Sequence, residues 1–190
     1  HGQNAPAHGG EANRIPLRAD ETTVATLLKR AGYATGITGK WGLGEPGSTG
    51  LPNDHGFDEW FGYLNQNHAA DYYTDYLWRN KERKVLEGNL NGGRGVYSAG
   101  LFAEFSLDFI RKNRENPFFL YVATTIPHKK LEVPDPGVYA EESWPEEAKV
   151  FAAMVTRLDA HVGQIMALLS ELDLDRKTIV FFTSDNGSAG

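Results

Sequence analysis

The chain has 190 residues, of which 41% are hydrophobic and 23% are charged, values typical of a globular domain with a sizeable core. Its net charge of -6 argues against a nucleic-acid partner, because such a partner requires a basic face. There is no cysteine, which excludes disulfides, thiolate metal sites and a cysteine nucleophile from this stretch, and no apolar run is long enough for a membrane span.

The N-terminal part of the chain predicts a loop, a helix and a strand. Residues 1–19 are rich in Gly, Asn, Ala and Pro and predict a loop. Asp20 is a candidate N-cap for a helix over 21–31, which Gly32 ends. A short strand is predicted over 33–38.

A long region of low periodicity follows. Residues 45–97 predict an ordered loop with short strands or turns, and loops of this length inside a domain are usually functional or disordered. Its aromatic side chains could stack on a sugar or an aryl group, although packing is the commoner role for such residues. Within this region, His68 and Asp71 are candidates to face a site, and we include His68 among the substrate-binding residues.

The second half of the chain alternates strands and helices. Ser98 is a candidate cap for a helix over 99–114, and a continuous apolar run over 118–124 predicts a strand buried on both faces. A long helix over 146–172 and a strand over 178–183 follow. This alternation predicts an α/β fold with a mainly parallel sheet flanked by helices, and no linker divides the chain.

Four polar residues follow predicted strands at the ends where α/β proteins bind ligands. Lys40 comes after the first strand, His128 after the second, and Asp185 and Asn186 after the third. If these strands are neighbours, one cation, one imidazole and two oxygen ligands share a crevice.

Asp185 and Asn186 offer a carboxylate and an amide oxygen, which suit a hard divalent cation. Two ligands are too few for calcium, so substrate, water or other parts of the protein would supply the rest. The alternative is an ordinary turn, because Ser-Asp-Asn-Gly is favourable turn chemistry after any strand.

Lys40 and His128 are the candidates for binding and protonating an anionic ester. Lys40 would act as a point charge, and His128 would give a proton to a leaving oxygen. Lys129 and Lys130 add positive charge, and Lys129 joins the candidate substrate-binding residues. Taken singly, Lys40 is better explained as a solvated loop lysine, and His128 as a surface or capping histidine.

Six segments, in this order, resemble motifs of the sulfatase family in the alkaline-phosphatase superfamily. They are residues 23–36, 39–44 (Gly-Lys-Trp-Gly-Leu-Gly), 56–62, 117–128, 151–163 and 183–187 (Thr-Ser-Asp-Asn-Gly). The resemblance implies an alkaline-phosphatase-like α/β fold, of which residues 1–190 form part of the catalytic domain. The N-terminal segment that carries the nucleophile and the C-terminal part are expected outside this stretch.

The resemblance also implies roles for individual residues. Lys40 and His128 would bind sulfate, and His128 would also assist the leaving group. Asp185 and Asn186 would bind a divalent cation, calcium or alternatively magnesium. A formylglycine, made from Cys or Ser upstream of this stretch, would attack sulfur, so the stretch by itself is expected to be inactive.

One departure from the family leaves alternatives open. Many sulfatases have His where this chain has Gly42. The parent protein is expected to cleave a carbohydrate or aryl sulfate ester, without a nucleic-acid partner, in the periplasm or outside the cell. The alternatives are a phosphoester or phosphonate hydrolase of the same superfamily and an inactive protein that binds sulfated ligands. The sequence does not indicate the oligomeric state.

Overall fold

The computed structural model describes residues 15–128 and 130–185. The chain separates into two compact units, with the boundary between Ile126 and Pro127. The first 14 residues of the predicted N-terminal loop lie outside the described part. Within that part, no helix combines the length and the apolar character needed to cross a lipid bilayer.

The first unit is a mixed sheet with two helices. Its elements are α1 (Val24–Arg30), β1 (Ala34–Lys40), β2 (Glu59–Tyr63), β3 (Tyr76–Arg79), β4 (Glu82–Val85), α2 (Ser98–Asn113) and β5 (Phe118–Ala123). The strand order is β4-β3-β2-β1-β5. β1 is parallel to both β2 and β5, whereas β3 is antiparallel to β2 and to β4. The predicted α/β class is confirmed, with the parallel part confined to β2, β1 and β5.

Strands β2, β3 and β4 lie in the 45–97 region, for which the sequence predicts an ordered loop with short strands or turns but does not locate them. They are four or five residues long, too short to give a clear alternating pattern. Asn80 turns the chain between β3 and β4 with a φ of 54°, and its backbone and side chain both bond to Trp60. The hairpin therefore depends on contacts distant in sequence, which local patterning does not reveal.

Helices α1 and α2 cover opposite faces of the sheet. Ala25 of α1 shares a buried cluster with Ile37 of β1 and Trp60 of β2. The neighbouring Gly36 faces Phe109 of α2, whose ring would lie 2.6 Å from a Cβ at that position. Because successive strand residues point to opposite faces, this alternation places one helix on each side.

Helix α1 begins later than predicted. Thr23, rather than Asp20, is the N-cap, and its side-chain oxygen accepts a hydrogen bond from the Thr26 N–H at 3.1 Å. The same hydroxyl donates to the His55 carbonyl at 2.7 Å, which ties the helix start to the turn before β2. Asp20 instead pairs with Arg18 at 2.8 Å. The N-cap of α1 is therefore the residue that also makes a tertiary contact.

Glycines let the three parallel strands approach closely near their carboxyl ends. Gly39 has a φ of +104°, and a Cβ there would lie 1.9 Å from the Ala123 carbonyl oxygen of β5. A Cβ at Gly62 of β2 would lie 1.9 Å from the Gly39 carbonyl oxygen. Side chains at these two positions would push the strands apart.

Helix α2 and strand β5 follow the prediction in position and differ in detail. Ser98 is the first residue of α2, and Tyr97 takes the N-cap position without a side-chain hydrogen bond. Strand β5 is half-buried at the edge of the described sheet, and Tyr121 is exposed. Burial on both faces, which the apolar run predicts, is therefore not observed.

The second unit consists mainly of one long helix, α3 (Glu146–Glu171), close to the prediction of 146–172. Met154 and Leu169 on its predicted apolar stripe are buried, whereas Phe151 and Val155 are partly exposed. Before the helix, the Tyr139 and Trp144 rings stack 5.8 Å apart. The apolar periodicity therefore predicted the helix, although the stripe is only partly covered.

The predicted strand over 178–183 is wrong for the described structure. These residues have no regular secondary structure, and Ile179, Phe181 and Phe182 are 80%, 87% and 73% exposed. Within residues 15–128 and 130–185, no strand pairs with this segment, and a strand without a neighbour lacks the hydrogen bonds that hold it extended.

Candidate functional site

The carboxyl ends of three parallel strands define one edge of the first unit, which we call the carboxyl edge. Strand β1 ends at Lys40, which is in register with Tyr63 at the end of β2. The pairing continues past both strands, since the Trp41 and Gly42 N–H groups donate to the Tyr63 and Leu64 carbonyls at 2.9 and 3.0 Å. The residues after β1 and β2 are thus held side by side, where α/β sheets bind ligands.

Lys40 stands at this edge with an unengaged ammonium group. Its side chain is half-buried, and within the described residues its Nζ has neither a hydrogen bond nor an ion pair. A half-buried cation in such a position attracts an anion more strongly than a fully solvated one, because less solvent screens it. Lys40 thus lies at the end of a parallel strand, and its role in binding an anion stays a prediction.

Gln66, which was not among the predicted site residues, lies beside Gly42 at the carboxyl edge. Gly42 is buried with a φ of +76°, and a Cβ there would lie 2.1 Å from Gln66 Nε2. The side chain of Gln66 thus occupies the space that a side chain at position 42 would need. Recognising β2 as a strand would have revealed Gln66, since polar residues just after a parallel strand are site candidates.

His68 lies in the loop after β2, in a packed environment. Its ring contacts those of Tyr63 and Tyr76, with centroids 4.9 and 4.4 Å away. Thr74 donates its hydroxyl to the Tyr76 carbonyl, so His68 Nε2 donates to Thr74 Oγ1 at 2.6 Å. Burial lowers the pKa of His68, and the nearby Asp71 carboxylate opposes this only in part. The ring therefore favours the neutral form.

The aromatic residues of the 45–97 region serve mainly in packing. Trp60, Tyr63 and Tyr72 are almost fully buried. Tyr63 donates its hydroxyl to the Asp71 carbonyl at 2.6 Å, and burial raises its pKa. Tyr73 is different, because it is half-buried and carries the Arg94 guanidinium 4.0 Å above its ring.

Tyr73 and Arg94 belong to a cleft of about 320 Å³, which we call the 71–94 cleft. Its lining residues are Asp71, Tyr73, Asp75, Asn89, Asn91, Gly92, Gly93 and Arg94. Residues 71–75 precede β3 and residues 86–94 follow β4, so both segments lie at the carboxyl edge. Two to three strand spacings, about 10–15 Å, separate this cleft from β1 along the sheet.

His128 and Asp185 belong to the second unit, and both side chains are exposed. Within the described residues, neither makes a side-chain hydrogen bond or ion pair. Lys130 pairs with Glu132 at 3.1 Å. Lys129 and Asn186 lie outside the described residues. The convergence of Lys40 with His128, Asp185 and Asn186 stays a prediction.

The donor chemistry for a metal is incomplete in the described part. In residues 15–128 and 130–185, no three His, Cys, Asp or Glu side chains come together to hold a metal ion. Asp185 supplies one exposed carboxylate, a hard oxygen ligand of the kind that calcium and magnesium prefer. This carboxylate is therefore the right kind of ligand for such a cation, and further ligands are needed to complete the coordination.

Comparisons with known proteins agree on one family. The family model described as Sulfatase matches residues 2–190. An N-acetylgalactosamine-6-sulfatase of Rattus norvegicus is 36% identical over 183 residues, and an arylsulfatase of Klebsiella aerogenes is 28% identical over 240. The matches cover 89% and 95% of this chain and 33% and 50% of those proteins, so the chain spans at most about half the length of either.

Solved structures share the fold. A crystal structure of Ps i-CgsB in complex with k-i-k-neocarrahexaose superposes with a TM-score of 0.71 and 24% identity, covering 87% of this chain and 41% of that one. A structure of BT4656 with D-glucosamine-2-N,6-O-disulfate superposes with a TM-score of 0.62 and 17% identity. The match covers 86% of this chain and 49% of that one. With the family model matching nearly every residue, the chain belongs to the sulfatase family.

Proposed function

We propose that the complete protein hydrolyses sulfate monoesters of carbohydrates. The observation that carries this proposal is the unengaged ammonium of Lys40 at the carboxyl edge, in a chain of the sulfatase family. A cation there neutralises one sulfate oxygen in the substrate. It stabilises the transition state further as negative charge grows on the leaving oxygen.

The remaining roles follow the predicted site. His128 protonates the leaving oxygen, since an imidazole is the side chain that most often acts as a general acid. Lys129 and His68 are the further substrate-binding candidates. For His68, its hydrogen bond to Thr74 means that binding substrate would require a change of partner.

A divalent cation and a nucleophile complete the proposed reaction. Asp185 and Asn186 would hold calcium, or alternatively magnesium, and the bound cation would supply charge stabilisation for the sulfate group. A formylglycine on a part of the protein outside this chain would be the attacking group. Neither group is needed for Lys40 to bind a sulfate oxygen.

The 71–94 cleft supports a carbohydrate rather than a small aryl substrate. Its volume of about 320 Å³ is in the range of small-molecule sites. Asp75 and Asn91 line it, and neither side chain has a hydrogen-bond partner within the described residues. Their acceptor and donor groups match the hydroxyls of a sugar. A glycan longer than one ring could lie along the carboxyl edge from Lys40 towards this cleft.

The test is sulfate release by the complete, matured protein. Formylglycine would be verified by mass spectrometry, and activity measured on aryl sulfates, sulfated mono- and oligosaccharides, and matching phosphate esters. We expect turnover of sulfate esters, higher kcat/KM for oligosaccharides than for aryl sulfates, and loss of activity on chelation that calcium or magnesium restores.

Three outcomes would contradict parts of the proposal. Faster turnover of phosphate esters than of sulfate esters would identify a phosphoester hydrolase. Equal kcat/KM for aryl and oligosaccharide sulfates would remove the carbohydrate preference. Binding of sulfated glycans without turnover, with the nucleophile verified, would identify a binding protein instead.

A further inference from the structure

We infer that Gln66 is a substrate-contacting residue, whose side-chain amide binds the sulfate group together with Lys40. This inference depends on the proposed function, because it assigns a second group to the same anion site. It starts from the overlap at Gly42, where a Cβ would lie 2.1 Å from Gln66 Nε2 and 2.8 Å from its Cδ. The amide of Gln66 therefore packs directly on the backbone of residue 42.

This packing brings the amide close to Lys40. Gly42 follows Lys40 by two residues, so their Cα atoms are at most about 7 Å apart. The amide nitrogen lies 2.1 Å from the Cβ position of residue 42. The long side chain of Lys40 can thus bring its ammonium to an anion that the amide also contacts.

The backbone around Gln66 is held in place from both sides. Asn65 Oδ1 accepts hydrogen bonds from the Asn67 and His68 N–H groups at 2.8 and 3.2 Å. Asn65 Nδ2 donates to Glu45 Oε1 at 2.6 Å. On the facing segment, the Gly42 N–H donates to the Leu64 carbonyl at 3.0 Å. These bonds fix the segment that carries Gln66 relative to Gly42.

The Gln66 amide differs from its neighbours in its hydrogen bonding. Within residues 15–128 and 130–185, Gln66 makes no side-chain hydrogen bond, and Lys40 has no partner either. Together, the two donors of the Gln66 amide and the positive charge of the Lys40 ammonium match the oxygens of a sulfate group. Donors without internal partners, carried on a backbone that is held in place, can bind an anion without breaking other hydrogen bonds.

The test compares Gln66→Ala and Gln66→Glu with Gln164→Ala, in which an exposed glutamine on α3 is removed. Each is made in the complete, matured protein and assayed on a sulfate ester, with inorganic sulfate binding measured by calorimetry. Gln66→Ala should lower kcat/KM and weaken sulfate binding by about tenfold or more, as expected for a lost hydrogen bond to a charged group. Gln66→Glu should be worse, because its carboxylate repels the anion, and Gln164→Ala should match the wild type.

A double-mutant cycle tests the geometry separately. Gly42→Ala should displace the Gln66 amide and weaken sulfate binding, and it should cost less in the Gln66→Ala background, where the overlap is gone. Melting temperatures of all variants identify any that fail to fold.

Unchanged kcat/KM and sulfate affinity in Gln66→Ala, in an active enzyme, would overturn the inference and leave the proposed function intact. A wild type without turnover would contradict the proposed function, and sulfate binding would still decide the role of Gln66. In that case, weaker binding in Gln66→Ala supports the contact, whereas equal or absent binding in both proteins overturns it.

Discussion

The two ends of the parallel strands differ in how their polar side chains are engaged. At the amino ends, Asp58 accepts hydrogen bonds from the Thr35 N–H at 3.0 Å and the Thr35 hydroxyl at 2.9 Å, and pairs with Lys29 at 2.6 Å. At the carboxyl ends, Lys40 and Gln66 have no such partners within the described part of the chain. The carboxyl ends therefore carry two donors that are available to a ligand, beside paired residues such as Asn65 and His68.

This difference suggests how to separate structural from functional polar residues in one small domain. A group that is already hydrogen-bonded contributes mainly to stability, and removing it leaves a partner unsatisfied. A half-buried group without a partner contributes little to stability and remains available for binding. Mutations at the two ends should therefore affect different measurements.

The largest effect is expected for Lys40→Ala. In the complete enzyme, kcat/KM for a sulfate ester should fall by about 100-fold or more, because one donor to the developing charge is lost. The free energy of unfolding should stay nearly constant, since Lys40 has no partner among the described residues. Lys84→Ala is the matched control, because this exposed lysine lies on β4. Similar activity in both variants would contradict the functional role that we assign to the carboxyl ends of the strands.

Asn80→Ala should produce the largest loss of stability at the amino ends. The substitution removes the acceptor for the Trp60 N–H at 3.0 Å and leaves alanine in a left-handed conformation. We expect the free energy of unfolding to fall by about 2 kcal/mol. Urea denaturation measures this loss, and kcat per folded molecule should be unchanged. A large decrease in kcat would show that this end also takes part in the reaction.

Asp58→Ala should cost less and depend on pH. Burial would raise the pKa of Asp58, but hydrogen bonds from Lys29 and Thr35 outweigh it and lower that pKa. We expect a loss of about 1–2 kcal/mol at pH 7, reduced because the pair is partly exposed. This contribution is present above the unfolded pKa near 4 and disappears as pH falls through the folded value. In urea denaturation, the difference in the free energy of unfolding between wild type and variant should be smaller at pH 3 than at pH 7.

The smallest effect is expected for His68→Gln, which tests a paired residue at the carboxyl edge. Because burial lowers its pKa, unfolded His68 takes up a proton at a higher pH than the folded form. Its contribution to stability is therefore complete above about pH 6.5 and decreases as pH falls through the folded pKa. Between pH 8 and pH 5.5, the melting temperature should decrease less in the variant than in the wild type. His161 has a lowered pKa as well, so only the difference between wild type and variant is informative.

The sequence predicted the parts of the fold that depend on long periodic patterns. The stripe along α3 and the apolar run of β5 extend over enough residues to identify each element. Strands β3 and β4 were expected only as short strands without bounds, because each is four residues long and is held by pairing with its neighbours. The strand predicted over 178–183 failed for the same reason, since pairing rather than composition holds an extended segment.

The candidate site could be predicted only where a polar residue follows a recognisable strand. Lys40 met that condition, because Gly32 marks the end of the preceding helix and a strand is predicted directly after it. Gln66 did not, since the segment before it was assigned to a loop. Its position over Gly42 is a three-dimensional contact between segments 24 residues apart, which no local pattern contains.

The glycines that bring the parallel strands together also limit how this protein can be altered. Gly39 and Gly62 each have a neighbouring carbonyl oxygen 1.9 Å from the Cβ position, so every other amino acid would open the sheet just below Lys40. Directed evolution towards new sulfated substrates should therefore keep these two codons constant. Library diversity is better placed in the segments around the 71–94 cleft, where replacements leave the strand spacing intact.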